Sequence, residues 1–261
     1  MRLIVTRPAA QAEPWVQALR DLGLQAQALP LIDIAPAPDL GAVHSAWNRL
    51  DELALVMFVS ANAVDSFFAA RPAQAHWPDE LAAASTGPGT SAALRAQGLS
   101  RVVEPSPEAG QFDSEALWAQ WASKDWTGAQ VLVVRGEDGR DWLADQFSGS
   151  GAQVGFVAAY RRLPPQWGAQ EQGLLAQALA APDQHLWLFS SSQAISHLQA
   201  LAPHADWSAS AAVASHPRMV QAARAAGFGR VDLVAPGPQA VAAHLMPGSA
   251  GDSPAPAQPG G

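Results

Sequence analysis

The chain has 261 residues, of which 49% are hydrophobic and 15% are charged, and it contains no cysteine. This composition excludes a disordered or collagen-like chain, and the lack of cysteine excludes disulfides, cysteine-ligated zinc, iron–sulfur clusters and a thiol nucleophile. The 15 basic and 23 acidic side chains give a net charge of −8; without a basic excess we expect no nucleic-acid partner.

Short apolar runs alternate with helical patterns along the chain. Four runs predict buried strands: Leu3–Thr6, Ala54–Val59, Val131–Val134 and Leu186–Phe189. Apolar residues recur at helical spacing in the segments that follow: Trp15–Leu22, Ala92–Gln97, Trp142–Phe147 and Val220–Ala226. This alternation predicts parallel sheets covered by helices, and the length fits one large or two small domains.

Neither a secretory signal nor a membrane segment is predicted. The first strand-like run begins directly after Met1-Arg2, which is unlike a signal peptide. The longest unbroken apolar run, Leu53–Val59, is far shorter than the ~20 residues of a membrane helix. We therefore expect a cytoplasmic protein with no membrane partner.

The residues at about 53–122 and 186–246 have the character of two copies of one unit. Phe58–Val64 is similar to Phe189–Ile195, and each of these segments predicts a strand that opens into a helix. Further on, Pro88 and Pro217 begin helices that end before Gly98 and Gly227, the expected start and stop residues. The alternative is that unrelated α/β units share such patterns by chance.

A second pair of copies, at 2–34 and 131–162, encloses the first. Each copy predicts a strand, an arginine, a helix, a glycine and a second strand, the second strands lying at 28–34 and 154–160. If the copy at 53–122 forms one sheet with the segment 131–162 that follows it, the copy at 186–246 needs the N-terminal segment 2–34 to complete its sheet. The first domain is then discontinuous, and the second is inserted in it. The predicted boundaries are 1–34 plus 166–247 for domain 1, 40–158 for the inserted domain 2, 31–38 and 155–165 for the crossing linkers, and 248–261 for a disordered tail.

No cofactor or metal motif is present. The histidines show no metal-ligand spacing, and the chain contains no HExxH, Walker A, GxGxxG or GxSxG sequence. We therefore expect no metal and no cofactor. A nucleotide-binding protein of flavodoxin type remains a weaker alternative, because Thr86-Gly87-Pro88-Gly89-Thr90 is the nearest match to a phosphate loop.

Polar residues follow the predicted strands, where parallel sheets bind ligands. Hydroxyls, amides, arginines and helix N-termini in this pattern favour an anionic ligand, carboxylates in particular, held in a cleft between the domains. The alternative is that each hydroxyl or amide is an ordinary helix N-cap. The candidate binding residues are Arg7, Ser60, Asn62, Thr86, Gly87, Thr90, Arg135, Gly136, Arg140, Ser190, Ser191, Ser192, His216 and Arg218.

Tyr160 is the only tyrosine of the chain, and it lies where the second crossing segment begins. It has two interpretations, a strand residue that packs against the connection or a functional phenol.

Five segments together resemble one enzyme family over about residues 1–246. They are Thr6-Arg7-Pro8, Ser60-Ala61-Asn62-Ala63-Val64, Val133-Val134-Arg135-Gly136, Ala159-Tyr160-Arg161 and Phe189-Ser190-Ser191. In this order they are similar to the uroporphyrinogen-III synthase family. Two positions depart from the family pattern: Val59 stands where many members have threonine, and Ser215-His216-Pro217 replaces a glycine.

The resemblance implies two flavodoxin-like parallel-sheet domains joined by a two-stranded linker. It also implies a cofactor-free lyase that cyclises the linear tetrapyrrole hydroxymethylbilane with inversion of ring D, giving uroporphyrinogen III in haem biosynthesis. In members of this family a tyrosine of the return linker faces the cleft. Tyr160 matches that position, so it is the expected catalytic residue. We expect a monomer. The competing hypothesis is a non-catalytic hinge protein that binds a small anion.

Overall fold

A computed structural model describes residues 1–106, 114–137 and 141–246. The predicted site residue Arg140 and the predicted tail at 248–261 lie outside these described residues. The chain divides into two compact units: unit 1 comprises Met1–Asp33 and the chain from Pro164 onward, and unit 2 comprises Ile34–Leu163.

Unit 1 is built on a five-stranded sheet. Its strands are β1 (Arg2–Val5), β2 (Gln25–Ala28), β9 (His185–Phe189), β10 (Ala211–Ala214) and β11 (Arg230–Leu233). The order across the sheet is β11-β10-β9-β1-β2, and all neighbours are parallel. When the five strands are numbered in chain order within the unit and read from the β2 edge, the order is 2-1-3-4-5, as in flavodoxin-like folds. Its helices are α1 (Ala9–Asp21), α7 (Ala169–Ala180), α8 (Ser192–Leu201), α9 (Pro217–Ala225) and α10 (Pro238–Leu245).

Unit 2 repeats this arrangement with one additional strand. Its strands are β3 (Asp33–Pro36), β4 (Leu55–Phe58), β5 (Ala83–Ser85), β6 (Val102–Val103), β7 (Gln130–Gly136) and β8 (Gln153–Leu163), in the order β3-β8-β7-β4-β5-β6. The pairs from β8 to β6 are parallel. Its helices are α2 (Leu40–Trp47), α3 (Ala61–Ala69), α4 (Pro88–Ala96), α5 (Ser114–Ala119) and α6 (Trp142–Gly149). The predicted class, parallel sheets covered by helices, is confirmed.

The central strands are apolar on both faces because helices cover both faces of each sheet. In β4, Val56 and Phe58 belong to one buried cluster, whereas Leu55 and Met57 belong to another. Side chains alternate between the faces of a strand, so one four-residue strand supplies both cores. Burial of a side chain of this size is worth about 1.5–3 kcal/mol.

The predicted strand at 28–34 is wrong. β2 ends at Ala28, and β3 begins at Asp33 in the other sheet. Pro30 lies between them, and it has no N–H to donate to a strand ladder. Side chains bind the carbonyls here instead, because Trp167 Nε1 donates to Pro30 O (2.9 Å) and His197 Nδ1 donates to Leu31 O (2.7 Å). The matching segment near 154–160 has no proline and forms the continuous strand β8.

Candidate active site

The polar residues predicted in unit 2 gather at one edge of its sheet. Phe58 at the end of β4 pairs with Ser85 at the end of β5 and with Val134 of β7, and β7 continues for two more residues to Gly136. We call this region the carboxyl edge of unit 2. Helices α3 and α4 begin here, and the free N–H groups of their first turns make the region favourable for negative charge.

Tyr160 is the central side chain of this edge. Its residue is fully buried in the core of unit 2, and its hydroxyl lies 3.1 Å from Ser60 Oγ. Arg162 donates an Nη2–H to the same phenol oxygen at 2.8 Å. Ser60 is the N-cap of α3, and its Oγ accepts the backbone N–H of Ala63 at 3.2 Å. The phenol is therefore connected both to a cation and to a helix N-terminus.

Gly136 makes room for the Tyr160 ring. A bulge in the β7–β8 ladder after Arg135 pairs Gly136 with Tyr160 rather than with Ala159. A Cβ atom on Gly136 would lie 3.1 Å from Cζ of the tyrosine and 3.4 Å from its Oη. Because these distances are shorter than ordinary carbon contacts, a larger residue would displace the ring from the position in which its hydroxyl reaches Ser60.

The Ser60–Tyr160 pair has one hydroxyl hydrogen in excess. The two hydroxyls carry two hydrogens, and one of these is used in the bond between them. Arg162 and Ala63 supply only donors to the pair, so neither of them takes up the other hydrogen. Whichever hydroxyl donates within the pair, the other retains an O–H for a further acceptor.

The segment after β5 supplies backbone groups rather than side chains. Gly87 is the N-cap of α4, and Pro88 occupies its first position, as predicted. Ser85 and Ser91 bind each other through their hydroxyls at 2.6 Å and are both buried. Thr90 is buried within α4, whereas Thr86 and Gly87 are partly exposed at its start. Thr86 and Gly87 are thus the accessible members of this set.

Arg135 is engaged by its own unit. Its guanidinium pairs with the Asp141 carboxylate and lies 4.5 Å from the centre of the Phe156 ring. Asn62, in the first turn of α3, is partly buried and has an interaction partner. The charge of Arg135 is therefore already balanced by a carboxylate, in contrast to that of Arg7.

The matching edge of unit 1, the carboxyl edge of unit 1, holds Arg7. Its guanidinium stacks on Trp15 at 4.2 Å, and its Nη1 donates to Gln11 Oε1 at 3.3 Å, while its buried Nε has no hydrogen-bond partner among the described residues. Burial lowers the pKa of Arg7 to about 10, so the group remains charged at neutral pH. Arg7 lines a narrow pocket with Ser190, Ser215 and Gly237. The accessible volume of this pocket is about 10 Å³, close to that of one water-sized atom. One carboxylate oxygen fits such a space.

The other predicted residues of unit 1 lie at helix starts on this edge. Ser191 is the N-cap of α8, flanked by Ser190 and Ser192. His216 is the N-cap of α9, and its Nδ1 accepts the N–H of Arg218 at 3.1 Å. His216 and Arg218 are both exposed. His216 thus caps a helix through its ring nitrogen, a role that the sequence analysis considered only for hydroxyl and amide side chains.

The sequence model of the family described as uroporphyrinogen-III synthase HemD matches residues 13–243. The chain belongs to this family.

Curated relatives agree with this assignment. The uroporphyrinogen-III synthase of Proteus mirabilis is 32% identical over 175 residues, which cover 67% of this chain and 86% of the relative. That of Escherichia coli K12 is 28% identical over 183 residues, covering 68% and 72%. The family predicted from the sequence is confirmed, and with it a lyase of haem biosynthesis.

Solved structures of uroporphyrinogen-III synthases share the fold. A mutant enzyme from Thermus thermophilus superposes with a TM-score of 0.56 at 15% identity, covering 94% of this chain and 98% of that one. The enzyme from Helicobacter pylori gives a TM-score of 0.57 at 16% identity with the same coverage. Sequence therefore carries the assignment, and structure supports the fold.

For this synthase, sequence reasoning missed two contacts. Arg162 is absent from the predicted site, although the two-residue period of a strand places it on the same face as Tyr160. Trp15 is also absent from the predicted site, although the guanidinium of Arg7 stacks on its ring. Within the described ranges, no three His, Asp or Glu side chains come together to hold a metal ion, and no helix is long and apolar enough to cross a membrane.

Proposed function

We propose that this protein converts hydroxymethylbilane into uroporphyrinogen III and inverts ring D as the macrocycle closes. Membership of the family gives the reaction its class. The observation that supports the active-site assignment is the Ser60–Tyr160 pair, which offers one spare hydroxyl hydrogen at the carboxyl edge of unit 2.

The spare hydrogen suits the first chemical step. The terminal hydroxyl of the bilane leaves with the electrons of its C–O bond, and a donated proton or hydrogen bond lets it depart as water. A carbon of ring D then forms the new C–C bond, the inverted ring is set by rearrangement, and a pyrrole carbon finally releases a proton. Tyr160 serves this departure in our proposal, with Ser60 as its partner.

The remaining residues serve to bind and orient the substrate. A linear tetrapyrrole is flexible and carries many carboxylates, so holding it in one shape lowers the entropic part of the barrier. In unit 1, Arg7 offers an unpaired buried N–H beside the starts of α8, α9 and α10. In unit 2, the first turns of α3 and α4 offer backbone N–H groups. The proposed binding residues are the accessible ones among those of the sequence analysis, led by Arg7, Ser60, Thr86 and Gly87.

The isomer of the product tests this proposal. Hydroxymethylbilane left alone closes without inversion to the type I isomer, so the purified protein must redirect the product to type III without added metal, flavin or nucleotide. Oxidation of the products and chromatographic separation of the two isomers give the ratio. Heat-denatured protein is the control. Unchanged type I product would refute the synthase and favour a hinge protein that binds an anion without chemistry.

A further inference from the structure

We propose that Arg162 is a positioning residue: it binds the phenol oxygen of Tyr160, occupies one of its lone pairs and strengthens the Ser60–Tyr160 pair as a hydrogen-bond donor. The proposal rests on the proposed function, since it names the group that prepares Tyr160 for that reaction. Family membership alone does not predict it, because it depends on a contact between two side chains of this chain.

The first argument is the geometry of the contact. Arg162 Nη2 lies 2.8 Å from Tyr160 Oη, a normal length for a charge-assisted hydrogen bond, and the guanidinium carbon lies 5.4 Å from the centre of the ring. The two residues are two apart in β8, so they project from the same face of the strand. The guanidinium thus reaches back along the strand to the phenol.

The second argument is the balance of donors and acceptors around the phenol. An arginine only donates, so it occupies one lone pair of the oxygen and never the hydrogen. The hydrogen of Tyr160 is left to point toward Ser60 or toward a ligand. A donor that binds an oxygen polarises its O–H, because hydrogen bonds in a chain reinforce one another. Arg162 therefore makes the pair a better donor without taking part in the proton transfer.

The third argument is charge. Among the described residues no carboxylate pairs with Arg162, in contrast to Arg135 with Asp141. Arg162 is exposed, so packing of the core does not require a guanidinium at this position. An exposed arginine without an acidic partner commonly stays free in water. Here it binds one neutral hydroxyl instead. That hydroxyl belongs to the only tyrosine of the chain.

Arg161 provides a matched control. It precedes Arg162 in β8, projects from the opposite face of the strand, and is also exposed. The variants to compare are Arg162→Gln, Arg162→Lys and Arg161→Gln. The two glutamine variants remove the same charge from the same strand, so a general effect of charge on a polyanionic substrate affects both.

A spectroscopic arm tests the contact without any assay of activity. Tyrosine labelled with ¹³C at Cζ gives one signal, because the chain has one tyrosine. We expect this signal to move in Arg162→Gln, to move less in Arg162→Lys, and to stay in place in Arg161→Gln. An unchanged signal in Arg162→Gln, with the protein folded by circular dichroism, would overturn the proposal.

A kinetic arm tests the role. We expect Arg162→Gln to lower kcat by about two- to tenfold, the range for loss of one hydrogen bond, with KM nearly unchanged and partial recovery in Arg162→Lys. In a Tyr160→Phe background the same change must have almost no effect, because Arg162 then has no hydroxyl to bind. Equal effects in both backgrounds, or a rise in KM alone, would show that Arg162 binds substrate directly and overturn the positioning role. If wild-type protein forms no type III isomer, the proposed function fails by itself, and the labelled tyrosine still decides the contact.

Discussion

The hydroxyls of Ser60 and Tyr160 lie 3.1 Å apart although 100 residues separate them in the chain. Ser60 follows β4 and Tyr160 belongs to β8, and β7 lies between these strands. Neighbouring strands are about 4.8 Å apart, so the tyrosine must extend across a whole strand to reach the serine. It does so over Gly136, the residue of β7 that has no side chain to block it.

Replacing Tyr160 with phenylalanine removes the hydroxyl and keeps the ring. We expect turnover to fall, because the hydroxyl that assists departure of the bilane hydroxyl is removed. General acid assistance is worth about 10²–10⁴-fold, and since the bilane hydroxyl also leaves spontaneously we expect the loss to lie at or below the low end of that range. The fold should lose about 1–3 kcal/mol, because the hydroxyl makes two hydrogen bonds, with Ser60 and with Arg162, of about 0.5–1.5 kcal/mol each. Initial rates on fresh bilane and a denaturant titration measure both; wild-type turnover would assign Tyr160 to packing alone.

Substituting alanine for Gly136 moves the same hydroxyl from another strand. The new Cβ would lie 3.1 Å from Cζ of Tyr160, so the ring must shift from its present position. We expect turnover to fall at least as far as in Tyr160→Phe, with a cost of about 1–3 kcal/mol in stability from overpacking.

Gly155 in β8 is the matched control for Gly136. A Cβ there meets only Leu132 Cδ1 at 3.7 Å, an ordinary contact. Gly155→Ala should therefore keep wild-type turnover and stability. Equal losses of turnover in both glycine variants would mean that the sheet, rather than the position of the phenol, limits the reaction.

The sequence predicted the fold more completely than the site because the two depend on different ranges of interaction. The apolar runs of β4 and β9 and the starts of α4 and α9 at Pro88 and Pro217 are local patterns. Whether a strand-end hydroxyl only caps a helix depends on what another strand brings to it. Ser60 caps α3 and also binds Tyr160, whereas His216 caps α9 with no second partner among the described residues.

Arg7 gives a prediction in which binding and stability move in opposite directions. Arg7→Met keeps the packing on Trp15 and removes a buried charge that has no carboxylate partner in the described part of the chain. We expect KM for the bilane to rise about tenfold or more, as for loss of a charge-assisted hydrogen bond. The free energy of unfolding should stay the same or rise by about 1 kcal/mol, because a desolvated charge is lost.

Arg2, at the other end of β1, is the matched control, and Arg2→Met should leave KM unchanged.

The effect of Arg7 on the free energy of unfolding depends on pH with a definite sign. Burial lowers the pKa of Arg7 from its ordinary value to about 10 in the folded protein, so the cost of burying the charge is fully present below pH 10 and declines above it. A fall in stability of Arg7→Met at pH 7 would show that the guanidinium is structural.

The chain order of the strands predicts that a fragment containing unit 2 folds by itself, whereas the C-terminal fragment of unit 1 does not. Residues 34–163 contain all six strands of the unit 2 sheet and lack only Asp33, the first residue of β3. This fragment should therefore melt cooperatively by itself. Residues 164–261 lack β1, which pairs with both β2 and β9 at the centre of the unit 1 sheet. Without β1 the buried face of β9 is open along one edge, and we expect no cooperative transition. Adding a peptide of residues 1–33 should restore one, measured by circular dichroism on heating. A cooperative melt of residues 164–261 alone, equal to that of 34–163, would show that β1 is dispensable and contradict the discontinuous unit.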